Sequence, residues 1–195
     1  MTKTRYPRSE AEKVADQIVQ IMEPSCLRIL VAGSLRRRKS DVGDVEILYI
    51  ARAERHKGGD FFADAVINVA DVAIADMERA AILHKRQNVK GSEMFGPKNK
   101  LMVHTLTGIP VDLFAATEEN WWNYLVCRTG GAESNTRIAT RAKQLGWKWN
   151  PYGSGFRRVG PAVSFCNQGE VWPVPSEAAL FEFLGIAYEE PWERK

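Results

Sequence analysis

Asp44 and Glu46 stand two residues apart in the stretch Gly43-Asp44-Val45-Glu46-Ile47-Leu48-Tyr49-Ile50. Side chains on a strand alternate faces, so both carboxylates project the same way while Val45 and Ile47 turn into packing. Two acids held side by side on a rigid strand repel each other unless something positive lies in front of them. With oxygen donors only, that partner is a hard divalent cation, Mg²⁺ or Mn²⁺, rather than zinc. An alternating acidic and apolar strand is also what the half-solvated edge of a sheet looks like, and spacing alone does not separate the two readings. A third carboxylate, Asp112, lies in the middle of Ile109-Pro110-Val111-Asp112-Leu113-Phe114, a second short apolar strand. Neighbouring strands of one sheet could bring it to the first two.

The elements that must position these groups begin upstream. An apolar run (Ile29, Leu30, Val31) breaks at Gly33-Ser34, passes through Arg36-Arg37-Arg38-Lys39 and turns at Gly43 into the acidic strand. This reads as a strand, a Gly-Ser turn, a basic connection and a second strand. A Gly-Ser turn can bring backbone N–H groups and a hydroxyl onto phosphate oxygens, and an arginine a few residues on adds a bidentate phosphate ligand.

With these residues in view, the chain resembles the nucleotidyltransferase superfamily and, more closely, the family X DNA polymerases, the group that includes DNA polymerase beta. The family's G-S-x-x-R, G-D-x-[DE] and distant h-D-h elements stand here as Gly33-Ser34-Leu35-Arg36-Arg37, Gly43-Asp44-Val45-Glu46 and Val111-Asp112-Leu113. Glu46 replaces the Asp usual at the second carboxylate. Thr129-Gly130-Gly131 through Asn135-Thr136-Arg137 resembles the T-G-S…N-x-R segment of the family's thumb, with Gly131 in the serine's place. Gly146 to Gly153 matches its G-x-x-x-N-x-Y-G segment. The fold this implies is α+β: a nucleotidyltransferase palm, a mixed sheet with flanking helices, over residues 1–119, then a small α/β thumb lobe over 120–195.

The resemblance also implies chemistry. The expected activity is that of a DNA-directed DNA polymerase adding deoxynucleotides to a primer 3′-hydroxyl in short gaps or at ends during DNA repair. Asp44, Glu46 and Asp112 would hold two Mg²⁺ ions, or Mn²⁺, roughly 3.5–4 Å apart, with Asp112 nearest the primer hydroxyl. Ser34 and Arg37 would grip the β and γ phosphates, assisted by the Gly33 turn and the Gly43 N–H. Arg36, Arg38 and Lys39 are secondary candidates, because one loop cannot aim every cation at one ligand, and Arg5 is a further one. Asn135 would touch the incoming base or sugar, and Gly130-Gly131 would pass beneath the sugar. Arg137, Arg141, Lys148 and Tyr152 would lie along template or primer. Cys127-Arg128 stand where larger members carry bulky aromatics that help exclude a 2′-hydroxyl, so no preference for deoxy substrates is inferred. No residues precede the first palm helix that could form the family's lyase and fingers domains, and 5′-phosphate processing is not expected.

Along the rest of the chain, Ser9-Glu10-Ala11-Glu12 reads as a capping box opening a helix. Its Val14, Ile18, Ile21 and Met22 recur at helical spacing until Pro24. Arg52 to Asp60 reads as a charged loop with a Gly58-Gly59 break, and Ala70 to Leu83 as a helix. His84 to Lys90 and Lys98 to His104 read as two strands around a turn. Lys85, Arg86, Lys90, Lys98 and Lys100 make that region basic, either as a solvated face or as a DNA-backbone contact. Thr117 to Asn120 caps a helix whose Trp121, Trp122, Tyr124, Leu125 and Val126 read as core. Ser134 to Leu145 reads as a helix ended by Gly146. With Arg128, Lys143, Arg157 and Arg158 nearby, it forms the most cationic part of the chain, and phosphate contacts there would make binding salt-dependent. Ser176 caps a short helix that runs to Gly185 and a tail.

A chain of 195 residues and 22.0 kDa can bury a core as one domain or two small ones. No apolar run is long enough to span a bilayer, and the polar start MTKTRYPRSE is no signal peptide. Cys26, Cys127 and Cys166 are odd in number, far apart and without zinc spacing, which suits reduced thiols in a cytoplasmic, nucleoid or viral setting. A monomer with a nucleoside triphosphate and gapped or primer-template DNA as partners, and no membrane, completes the expectation. Two other readings stay open on the sequence: nucleotide transfer to an RNA end or a small molecule, and a non-catalytic DNA-end-binding protein.

Overall fold

The computed structural model describes residues 4–56, 65–87, 91–159 and 169–195. Gly58-Gly59, Lys90 and Cys166 lie outside the described residues. In chain order the elements are β1 (Tyr6–Pro7), α1 (Arg8–Met22), β2 (Cys26–Val31), α2 (Gly33–Arg36), β3 (Asp41–Val42) and β4 (Val45–Ala51). There follow β5 (Ala53–His56), β6 (Ala65–Asn68), α3 (Val69–Arg79), β7 (Leu83–Lys85), β8 (Asn99–His104) and β9 (Pro110–Ala115). The remainder is α4 (Trp121–Thr129), α5 (Ala132–Gln144), β10 (Trp147–Trp149), β11 (Gly155–Arg158), β12 (Val171–Pro173) and α6 (Glu177–Phe183). Among the described residues no helix is long and apolar enough to cross a membrane. The chain divides into two compact units, residues 1–31 with 40–116, and residues 32–39 with 117–195.

The first unit is built on a five-stranded sheet in the order β2-β4-β9-β8-β7. Strands β4 and β9 run parallel, and the other neighbours are antiparallel. Val45, Ile47, Leu48 and Tyr49 are fully buried, as a strand with neighbours on both edges requires. Helix α1 supplies Ala11, Val14, Ala15, Ile18 and Met22 to the core at helical spacing and gives way to a 3₁₀ turn, Glu23–Ser25, at Pro24. The capping box expected at Ser9 does not form. The helix is capped two residues earlier, at Pro7, Arg8 N–H donates to the Ser40 carbonyl (3.0 Å), and Glu12 accepts from Arg8 Nε (2.7 Å) instead of reaching back. Arg52 to His56 is not a loop throughout: β5 pairs antiparallel with β6. Helix α3 begins where Asn68 accepts from the Asp71 N–H (3.1 Å) and ends at Arg79, short of Leu83. Lys100, expected on a basic surface, is 3% exposed on the inward face of β8.

The second unit has its own core: Val126, Ile138, Ala142, Trp147, Phe156, Val174, Leu180, Phe181 and Leu184, with Trp122, Trp149, Trp172 and Phe183 packed against it. The three-stranded antiparallel sheet β10-β11-β12 carries Trp147, Trp149, Phe156 and Trp172, and Trp172 stacks on Phe183 of α6 with ring centroids 4.0 Å apart. Buried Asn123 on α4 donates to the carbonyls of Asn150 (2.7 Å) and Gly153 (2.8 Å) and accepts from Trp149 Nε1 (2.7 Å). Such satisfaction offsets the cost of burying the amide. Helix α5 starts at Ala132, two residues before the expected Ser134, and Gly146 follows it with φ +79°. Helix α6 is capped as expected, the Ser176 hydroxyl accepting from the Ala179 N–H (3.1 Å).

Candidate functional site

The carboxylates lie on the first unit, and strand register places them. In the parallel pair β4 and β9, Glu46 is the direct partner of Asp112. Directly opposed residues share a face, so these two acids project to the same side from neighbouring strands about 4.8 Å apart. Asp44 sits just before β4, two residues from Glu46, and alternation returns it to the same face. Gly43, Val45 and Ile47 are buried while Asp44, Glu46 and Asp112 keep intermediate exposure. The D-x-E alternation therefore belongs to an interior strand, not to the edge of the sheet.

For Asp112 the positive partner in the structure is an arginine. Arg86 Nη2 lies 2.6 Å from Asp112 Oδ1, with side-chain exposures of 26% and 13%. Sequence reasoning counted Arg86 only as one charge of a basic region. Its route to Asp112 runs over β8, where the Arg86 N–H donates to Leu101 O (3.1 Å) and Leu101 is the register partner of Asp112. No local spacing signals such a contact. Three oxygen donors from one sheet, two of them in register, fit a divalent cation by type and by element. Among the described residues, however, no three acidic, histidine or cysteine side chains are gathered closely enough to hold a metal ion.

The Gly33–Arg37 turn belongs with the second unit. Gly33 has φ +60° and α2 is a single turn, so the chain doubles back there using the left-handed region glycine permits. The Ser34 hydroxyl is buried with no hydrogen-bond partner, a donor for a phosphate oxygen. Arg36 is not aimed at a ligand. Its Nη1 and Nη2 grip Glu177 (2.8 and 2.7 Å), and Nη1 also donates to Thr129 Oγ1 (2.6 Å). Arg37 Nη1 donates to the Thr129 carbonyl (2.7 Å). Glu177 also accepts from Arg194 Nη1 (2.8 Å), whose side chain is fully buried. Burial alone would push the Glu177 carboxyl up, but hydrogen bonds and charge from Arg36 and Arg194 outweigh it and hold the group below the usual range. Sequence reasoning missed this cluster because its members lie far apart in the chain.

The remaining candidates sit elsewhere on the second unit. Asn135 donates from Nδ2 to Cys127 O (2.9 Å), and its buried Oδ1 has no partner. A Cβ on Gly130 would collide with that amide, and one on Gly131 with the Lys195 backbone, so both glycines are there for close approach. Of the candidate DNA contacts, Arg137 pairs with Glu189 (2.5 Å) and Arg141 Nε donates to Leu184 O (2.9 Å). Lys148 is exposed on β10 opposite Arg157. Tyr152 packs edge-on against Tyr124, and the Arg128 guanidinium lies over both rings at 5.3 and 5.5 Å. Burial pushes the Tyr124 phenol up, partly offset by Arg128.

Comparison with known proteins gives two consecutive matches, the first of which includes residues 32–39. Residues 5–102 match the family model described as DNA polymerase beta palm, and residues 124–195 the model described as DNA polymerase beta thumb. DNA polymerase lambda of Rattus norvegicus is 25% identical over 198 residues, covering 97% of this chain and 33% of the relative. The chain thus spans about a third of the length of the curated relative it matches.

Proposed function

The chain belongs to the DNA polymerase beta family, and from that premise we propose that it adds deoxynucleotides to a primer 3′-hydroxyl in short DNA gaps or at ends, as part of repair. The observation that carries the reading is the register of Glu46 against Asp112 on adjoining parallel strands, with Asp44 two residues upstream. These three carboxylates are the groups that would hold divalent ions, Mg²⁺ or Mn²⁺. Such ions supply a lowered hydroxyl pKa and charge neutralisation at the transferring phosphate. The chain's own residues do the rest. Ser34, with the Gly33 turn, offers a hydroxyl and backbone donors to the triphosphate, Gly43 a further N–H, and Arg37 a guanidinium. Asn135, held above Gly130-Gly131, offers its free amide oxygen to the base or sugar. Lys148 and Tyr152, with Arg137 and Arg141 once released from internal partners, meet the nucleic acid backbone.

A primer-extension assay in Mg²⁺ or Mn²⁺ on gapped, blunt and single-stranded DNA, with deoxy and ribo nucleotides, tests this. Extension on the gapped duplex that falls with salt is the expected result. Extension of RNA ends or of small acceptors alone would redirect the reading. The Arg86–Asp112 ion pair favours a second reading, a DNA-end-binding protein that keeps the fold without the chemistry. That reading predicts DNA binding with no nucleotide incorporated in either metal.

A further inference from the structure

We propose that Arg86 is a built-in competitor for the metal, a guanidinium that occupies Asp112 and sets how tightly divalent cations bind the palm. The inference rests on the reading that Asp44, Glu46 and Asp112 are cation ligands. In the sheet, Asp112 is flanked by Glu46 on β4 and, across Leu101 of β8, by Arg86. Its carboxylate can share a cation with Glu46 on one side or meet the guanidinium on the other. The structure has it meeting the guanidinium, through one nitrogen and one oxygen at 2.6 Å.

The quality of that pair argues for exchange rather than for a permanent strut. Arg36 on Glu177 shows what a structural guanidinium looks like in this protein: two nitrogens on two oxygens, with a threonine hydroxyl besides. Arg86 makes a single contact to its acid and leaves its buried Nε without a hydrogen-bond partner. A buried donor left unmade carries a desolvation cost that release of the side chain toward solvent would relieve. The Arg86 side chain is 26% exposed, so solvent is within its reach. A divalent ion arriving between Glu46 and Asp112 therefore trades one charge-assisted contact for another, and its affinity is lowered by what the arginine held.

The test is Mn²⁺ binding to the nucleotide-free protein, followed by the loss of the free-ion electron paramagnetic resonance signal and by calorimetry, with folding checked by circular dichroism. Arg86→Gln removes the charge, and its Mn²⁺ dissociation constant is expected to fall about 10- to 100-fold, the worth of one hydrogen bond to a charged group. Arg86→Lys keeps a cation and is expected to stay near the wild type. In an Asp112→Asn background, Arg86→Gln is expected to change nothing, because the arginine acts through that acid. Wild-type binding that is lost in Asp44→Asn, together with an Arg86→Gln affinity that is unchanged or weaker, would overturn this inference and leave the carboxylate assignment standing. Absence of Mn²⁺ binding in both wild type and Arg86→Gln would overturn the two together.

Discussion

Replacing Glu177 by Gln removes one negative charge from between two guanidinium groups. Glu177 is 7% exposed and Arg194 fully buried, so Arg194 has no ready water to replace the carboxylate. Breaking a buried ion pair from one side costs roughly 3–5 kcal/mol because the partner charge is left uncompensated. For a chain of this length each kcal/mol moves the melting temperature by about 2–4 °C, so a drop of roughly 6–20 °C is expected in thermal unfolding. That is a substantial part of the native margin of about 5–15 kcal/mol for a typical protein. The pH dependence has a definite sign. The folded-state pKa of Glu177 is held down, so its contribution is present above the carboxyl's ordinary pKa and is lost as pH falls through the folded value. Glu177→Gln should therefore lose stability at neutral pH and converge on the wild type in acid. Arg38→Ala, which removes only an exposed guanidinium lying 3.9 Å over the Trp192 ring, is the control and should cost no more than about 1 kcal/mol. A Glu177→Gln protein within about 1 kcal/mol of wild type at neutral pH would refute the reasoning.

Three further outcomes follow from the same geometry. Asn123→Ala strips two hydrogen bonds from the turn that carries Tyr152 and one from the Trp149 indole, and denaturant unfolding should show a loss of about 3 kcal/mol. Gly130→Ala pushes the Asn135 amide aside, so nucleotide affinity measured by fluorescence titration should fall while the melting temperature changes less. Nucleic acid binding measured by anisotropy should weaken linearly on logarithmic axes as salt is raised, and Lys148→Ala should shallow that slope by about one.

The shared face of Asp44 and Glu46 was legible because strand alternation is a local rule, whereas the register of Glu46 against Asp112 joins strands far apart in the chain and was not. The presence of a palm and a thumb was legible through the resemblance of the motifs to the family. Arg86 was not, since its partner lies two strands away and only the register of β7, β8 and β9 aligns them. Nor was the attachment of residues 32–39 to the second unit, which rests on Arg36, Thr129, Glu177 and Arg194 converging from distant positions. The Ser9 box failed for a related reason. A tertiary acceptor, the Ser40 carbonyl, satisfied the first helical N–H and moved the start of α1 to Arg8.

Single-nucleotide incorporation by Asp112→Asn on a gapped duplex, at saturating Mg²⁺ and with DNA binding measured alongside, addresses the role of the carboxylates most directly. Loss of a metal-ligating acid forfeits several kcal/mol at the transition state, so incorporation should fall by about 100-fold or more while the DNA remains bound. Incorporation at the wild-type rate would contradict the account.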